Sequence, residues 1–400
     1  MKKIFPKCSR RNFLKTIGIA GAGSLCIPFS SQAETTDLKA AMPTRPFGKT
    51  GIDVPILGFG TGQNVYSSLL LKQAVKLGVT YWDTGASYMG GGSEKGIGKY
   101  FEKFPEDRKK IFLVTKSNAW TLYGMTQDLE KSLERMKTNY IDLFCAHEIK
   151  KKDSLDDDLK EWAEKTKKQG KIRFFGFSTH NNMEECLLKA SSLSWVDGIM
   201  FSYNFRLMHN KNMKEAVDAC VKAGIGLTAM KTQGRGQIGA DTKTELRLTE
   251  HFLKKGYTEF QAKLKTVWEN PHISSICSEM PNTTILMSNV AAALDKTKLS
   301  VRDRDELHQY ALKTSSNYCA GCSSICESAI RNRAPVGDVM RYLMYCRSYQ
   351  ERGRAVDGFK KIPEKIRIQL MELNYAEAEQ KCPRKLAIGK LMREAVDEFA

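Results

Sequence analysis

Strand and helix signals alternate along most of this chain, and that alternation limits the fold more than any other feature. Short β-rich runs occupy 54–61, 79–83, 111–115, 141–146, 172–178, 198–203, 225–230 and 273–277. Each is followed by a helical segment, at 67–77, 93–104, 126–136, 155–169, 183–192, 212–223, 260–269 and 286–295. Within 126–136, Leu129, Leu133 and Met136 recur at the spacing of one buried helix face. Gly170 and Gly224 stand where helices stop. Alternating strands and helices argue a parallel sheet. Eight such units over about 250 residues argue a closed (β/α)8 TIM barrel. A glycine-bordered hairpin is predicted over 45–54, just before the first barrel strand. Residues 233–259 read as a longer insertion after the seventh strand, on the rim that shapes a substrate pocket.

A barrel does not use up 400 residues, so a further C-terminal domain is expected. The division read from the sequence is 1–33 signal peptide, 34–44 linker, 45–300 barrel and 301–400 helical domain. The net charge is +18, and Lys2, Lys3, Lys7, Arg10, Arg11 and Lys15 face no acidic residue in the first 33. The basic excess suits anionic substrates or surfaces. There is no nucleic-acid motif and no aromatic–basic interleaving, so nucleic acid is not an expected partner. Lys150-Lys151-Lys152 lies beside a helix rich in acids and reads as a solvated face.

Four polar residues end successive strands or lie just beyond them. Asp83 ends the second, Tyr88 follows in a small-residue loop, Lys116 ends the third and His147 the fourth. Polar residues at strand C-termini are where a barrel carries its chemistry. A phenol with a pKa of about 10 is a reluctant acid at neutral pH, and a nearby ammonium favours its phenolate. Lys116 is placed for that role, with Asp83 to hold it, and His147 to steer a carbonyl oxygen toward Tyr88. Asp83-Thr84-Gly85-Ala86-Ser87-Tyr88, Lys116 and His147 resemble the catalytic tetrad of the aldo-keto reductases. The likeness runs from about residue 45 to the C-terminus and implies an oxidoreductase acting on a small carbonyl or alcohol, a sugar among the candidates, with NAD(P)(H).

The resemblance further implies that Gly60, Thr61, Ser178, Thr179, Met230, Lys231 and Asn289 border the cofactor. Here the chain departs from the family. Ser178 matches the expected serine, but Thr179 replaces an asparagine and Met200 a glutamine, and Met230 stands where an aromatic stacks on the nicotinamide. After the eighth strand, Ser278-Glu279-Met280-Pro281 lacks the basic residue for a 2′-phosphate. Glu279 is expected to repel such a phosphate or to accept from a ribose hydroxyl, and Lys231 to replace part of the missing charge. The departures keep open NADH, NADPH or another hydride carrier, and a second reading of the barrel as a non-catalytic binder of a sugar or partner.

Eleven cysteines are spread unevenly. Cys145, Cys186, Cys220 and Cys277 fall inside predicted strands or helices and read as buried small hydrophobes. Cys319, Cys322 and Cys326 crowd into one short loop, and Cys382-Pro383 follows later. Three close cysteines and a remote Cys-Pro resemble a ferredoxin-type [4Fe–4S] site, although the second gap, Ser323-Ser324-Ile325, is one residue longer than in that pattern. Cys346 is a rival fourth ligand, zinc a rival metal, and disulfides the alternative in an oxidising compartment. A subgroup of aldo-keto reductases carries such a helical tail, and Tyr318-Cys319-Ala320-Gly321-Cys322 resembles its signature.

At the N-terminus, Ser9-Arg10-Arg11-Asn12-Phe13-Leu14-Lys15 precedes a short apolar run and Ser31-Gln32-Ala33, a suitable cleavage site. It is similar to a twin-arginine export signal. That route carries folded, cofactor-loaded proteins, which implies the twin-arginine translocase as a partner, a location in the periplasm or on the outer membrane face, and an electron-transfer partner there. Cys26 keeps lipidation open.

Overall fold

The structure is a computed structural model that describes residues 41–62, 66–237 and 242–399. The expected export signal lies outside them. Eight parallel strands close into a barrel: β3 (Leu57–Gly60), β4 (Tyr81–Asp83), β5 (Phe112–Ser117), β6 (Ile141–Ala146), β7 (Ile172–Thr179), β8 (Gly198–Ser202), β9 (Gly226–Met230) and β10 (Ser275–Glu279), which returns to pair with β3. The helices between them are α1 (Ser68–Lys76), α2 (Gly92–Lys103), α3 (Leu122–Met136), α4 (Asp157–Lys168), α5 (Met183–Ala190), α6 (Lys211–Lys222), α7 (Thr242–Leu253), α8 (Glu259–Trp268) and α9 (Thr283–Leu294). One core fills the layer between strands and helices, with Trp82, Phe144, Phe175 and Phe201 fully buried.

The barrel floor is sealed by an antiparallel hairpin, β1 (Thr44–Pro46) and β2 (Asp53–Pro55). Its turn sends Phe47 up into the barrel, 5.2 Å from the Phe112 ring. A Cβ at Gly226 would lie 2.6 Å from Phe47, so only glycine admits that plug. The first barrel strand therefore starts later than predicted: Val54 and Pro55 pair with Arg45 and Thr44 in the hairpin. Pro55 has no N–H to extend a ladder, and the chain bends at 56 before β3.

Two further expectations change. The eighth strand runs over Ser275–Glu279 instead of 273–277. The insertion after β9 contains α7, whose Leu248 and Phe252 pack on Leu307, Tyr310 and Ala311 of α10 (Val301–Lys313). Among its described residues, Gly234 to Gln237 stay at the mouth.

Beyond α10 the chain forms six helices: α11 (Ser323–Ala329), α12 (Val336–Tyr349), α13 (Arg352–Lys360), α14 (Glu364–Glu372), α15 (Ala376–Lys381) and α16 (Ile388–Phe399). They share their own apolar core, built around Val339, Leu343, Phe359, Leu370 and Met392. This tail closes over the C-terminal mouth of the barrel. The Asn182 N–H donates to Gly321 O at 2.7 Å, Cys319 N–H to Gln237 Oε1 at 2.7 Å, and Lys150 Nζ to Asp338 Oδ2 at 2.6 Å. At Gly321 (φ +83°) a side chain would meet His180 O at 2.1 Å, so the cysteine loop lies against the loop after β7.

Candidate active site

Three strand ends bring the sequence-predicted quartet to one rim. Lys116, on β5, is 1 % exposed and its Nζ donates to Asp83 Oδ1 at 2.5 Å and to Thr84 O at 2.7 Å. Burial works against its charge, but the Asp83 carboxylate more than offsets that and holds the ammonium above its ordinary range. The Tyr88 hydroxyl lies 3.5 Å from the same Nζ. Tyr88 opens a tight turn in which Met89 and Gly90 adopt φ of +51° and +61°. Below it, the Arg135 guanidinium donates to Ala86 O and to the fully buried Glu94, both at 3.0 Å, and so anchors the loop. The His147 ring faces the Tyr88 ring edge-on, with centroids 5.7 Å apart.

The electrostatics correct one expectation. Burial raises the Tyr88 pKa above that of a free phenol, and Lys116 lowers it only in part. At neutral pH Tyr88 is thus a phenol with a proton to give, backed by a cation ready for the phenolate. Burial also pushes His147 down to about 3, against the pull of Glu148, so its imidazole is neutral.

Asn118 was not legible as a site residue. Its Oδ1 lies 3.0 Å from His147 Nδ1 and accepts from Ser87 Oγ at 2.7 Å. In this assigned orientation the imidazole proton sits on Nδ1 and Nε2 is left to accept, as an alcohol substrate requires; the rotated amide gives the tautomer that donates to a carbonyl. The signal available was a polar residue two places after Lys116, beyond a strand end. Arg341 and Arg354 were also missed. They come from α12 and α13, yet both weigh electrostatically on His147.

Glu279 is a further residue of the mouth. In β10 alternate side chains share a face, and Cys277 points into the barrel interior. Glu279 therefore points into the mouth as well. A Cβ placed on Gly62 would touch Glu279 Oε1 at 2.6 Å and Tyr88 Cε2 at 3.5 Å, so the carboxyl lies beside the phenol. The side chain is exposed to solvent at the mouth, and desolvation by the surrounding walls pushes its carboxyl up to about 7.

The residues expected around a nucleotide are only partly free to hold one. Gly60 pairs with Glu279, and Thr61 Oγ1 donates to Asp83 O at 2.8 Å. Ser178 Oγ accepts from Glu148 N–H at 3.1 Å and keeps its own proton for a ligand. Thr179 Oγ1 is committed to Asn181 O at 2.8 Å. Met200 is buried within the barrel, and Met230 packs beside it. Asn289 Nδ2 donates to Ser278 Oγ at 3.1 Å. Lys231 Nζ lies over the Tyr345 and Tyr349 rings, at 4.8 and 4.7 Å, on the tail side of the mouth.

In the tail, Cys319, Cys322, Cys326 and Cys382 line one cavity of about 350 Å³, walled by Ile325, Val336, Met340, Leu386 and Ile388. Cys346 is elsewhere, its thiol donating to Glu398 Oε1 at 3.0 Å. Among the described residues, no three His, Cys, Asp or Glu side chains converge as a single ion requires. A tetrahedral zinc draws its sulfurs to about 2.3 Å from one point, a convergence that the four cysteines around this apolar cavity do not show. Burial pushes the Cys319 and Cys322 thiols up to about 11 and 12, so a cationic centre is needed to draw out thiolates there. Cys145, Cys186 and Cys220 are fully buried in the barrel layers, while Cys277 is partly buried in its interior.

Comparison with known proteins places this geometry. Residues 58–297 match the profile of the Aldo/keto reductase family. The chain is 23% identical over 296 residues to L-galactose dehydrogenase of Arabidopsis thaliana, covering 66% of this chain and 92% of that protein. It is 25% identical over 280 residues to an uncharacterised oxidoreductase of Bacillus subtilis, covering 65% and 82%. In structure it resembles an aldo-keto reductase from Bacillus halodurans, with a TM-score of 0.56 at 22% identity over 67% of this chain and 96% of that one, a likeness of fold.

Proposed function

The chain belongs to the aldo/keto reductase family, and on that premise we propose that it interconverts a carbonyl and an alcohol at the barrel mouth, with Tyr88 as the acid/base. Membership makes it an oxidoreductase enzyme rather than a binding module. The observation that carries the reading is the Tyr88 hydroxyl, 3.5 Å from an ammonium that is itself fixed on Asp83. In the reducing direction His147 holds the substrate oxygen and Tyr88 gives it a proton. Lys116 then stabilises the phenolate without having to move. A nicotinamide nucleotide, general in this family, supplies the hydride when bound. Gly60, Thr61, Ser178, Thr179, Met230, Lys231 and Asn289 are the proposed border of its site, with Ser178 the one hydroxyl of that border left with a proton to donate. A small-molecule carbonyl or alcohol is the substrate, and the dehydrogenase relative puts sugars among the candidates.

The proposal extends to the tail. Cys319, Cys322, Cys326 and Cys382 would hold a [4Fe–4S] cluster, which supplies one-electron storage when bound. The cavity they share supports this reading, and the position of Cys346 away from it favours Cys382 as the fourth ligand. The paired arginines Arg10 and Arg11 support export of the loaded protein by the twin-arginine translocase to the periplasm or outer membrane face, where an electron partner would meet it.

Assay of carbonyl reduction against pH tests the catalytic reading. Glu279 is neutral below about 7 and anionic above it. The anion opposes the negative charge that develops on Tyr88, so reduction is expected to slow roughly threefold to tenfold as pH rises through about 7. Glu279→Gln should remove that step. A step that persists in the variant would clear Glu279, and absence of any carbonyl turnover would overturn the reading itself.

A further inference from the structure

A second cavity, of about 420 Å³, lies between the barrel mouth and the tail. Lys231, Arg235 and Arg341 line it, and no carboxylate does. Two of these cations have protein partners. Arg341 donates to Asn181 Oδ1 at 2.5 Å and lies 3.6 Å from Glu148; Arg235 donates to Ser348 O at 2.7 Å. Lys231 has no carboxylate at ion-pair distance among the described residues, and its ammonium rests on two tyrosine rings. Its backbone takes φ +57°, a conformation that a side chain other than glycine rarely adopts and that collects at functional sites. Gln237 is 2 % exposed; its oxygen is taken by Cys319 N–H, and its amide hydrogens have no partner among the described residues. The Lys231 ammonium, whose charge acts on Glu279 but which makes no ion pair among the described residues, and the Gln237 amide thus face one polar cavity, which a ligand bearing both an anion and hydroxyls would satisfy.

We propose that this cavity receives the anionic end of the substrate, and that the substrate is a polyhydroxy carbonyl compound carrying a carboxylate, a molecule of the sugar-acid class. This rests on reading the mouth around Tyr88 as the carbonyl-reducing site. Lys231 and Arg341 face the carboxylate, while Ser202 and the Gln237 amide meet hydroxyls. Arg341 lies 3.6 Å from Glu148, the residue that follows His147, which sets the subsite beside the end of β6 that carries His147. The cysteine loop forms the far wall through Cys319, Ala320 and Gly321.

The test is isothermal titration of the full, anaerobically purified protein with D-galacturonate, D-galactose and inorganic phosphate, with turnover of the two sugars followed in parallel. Galacturonate should bind about tenfold or more tighter than galactose, as one charge-assisted contact allows. Lys231→Met should erase the preference, Lys231→Arg should keep it, and added salt should narrow it. Equal binding of the two sugars, or a preference unchanged in Lys231→Met, would overturn the proposal. So would phosphate binding that depends on Lys231 while the sugars bind alike, since the cation would then serve the nucleotide. A Lys231-dependent preference without turnover supports the subsite and removes the reductase reading. Turnover without the preference removes the subsite alone.

Discussion

Phenylalanine in place of Tyr88 is expected to cut carbonyl turnover about a thousandfold, within the range of general acid catalysis. The substitution removes one oxygen. The ring keeps its edge-on contact with His147 at 5.7 Å. Lys116 keeps Asp83 and Thr84 O as partners, so no buried charge is stranded and the fold is spared. The loss should appear in kcat and in kcat/KM alike, because the proton is given only in the transition state. The cysteine cavity belongs to a separate core and should hold the same iron as the parent protein. Steady-state kinetics with iron analysis checks both arms. Turnover unchanged by the substitution would end the assignment of Tyr88.

The second large effect concerns the tail. Cys382→Ser is expected to release most of the iron and to expose the tail to proteolysis, whereas Cys346→Ser should do neither. Metal binding to a site absent from the unfolded chain is folding free energy, on the order of 10 kcal/mol for structural metals. Cys382 is buried in the tail core and lines the cavity with the other three cysteines. Cys346 spends its thiol on Glu398. Iron retained by Cys382→Ser and lost from Cys346→Ser would reverse the ligand assignment. Zinc in the purified parent would replace the cluster by a single ion.

The barrel was legible because its signals are local and repeat eight times. Strand ends deliver Asp83, Lys116 and His147, and position within a strand could be read without tertiary contacts. What stayed hidden depends on register or on distant packing. Pro55 belongs to the hairpin because it pairs with Thr44, which no local pattern states. Glu279 was hidden because β10 runs on two residues past its apolar run, which makes Glu279 the last residue of the strand, on the same face as Cys277. Arg341 and Arg354 lie more than 190 residues along the chain from His147, and only the docking of the tail brings them to bear on it. The contact of Lys231 with the Tyr345 and Tyr349 rings of α12 could not be read from its neighbours in sequence. The cysteine spacing was legible. That four of the cysteines share one cavity and Cys346 does not required the fold.

The proposed union of a carbonyl-reducing barrel with a cluster-carrying tail is tested most directly by one measurement. Native and denatured masses of the anaerobically purified mature protein differ by whatever the fold holds without covalent attachment. The expected increment is four irons and four sulfides, lost from Cys382→Ser. A further nicotinamide nucleotide would show by its mass whether a 2′-phosphate is present. Equal native and denatured masses, in protein kept from air, would contradict the proposed union.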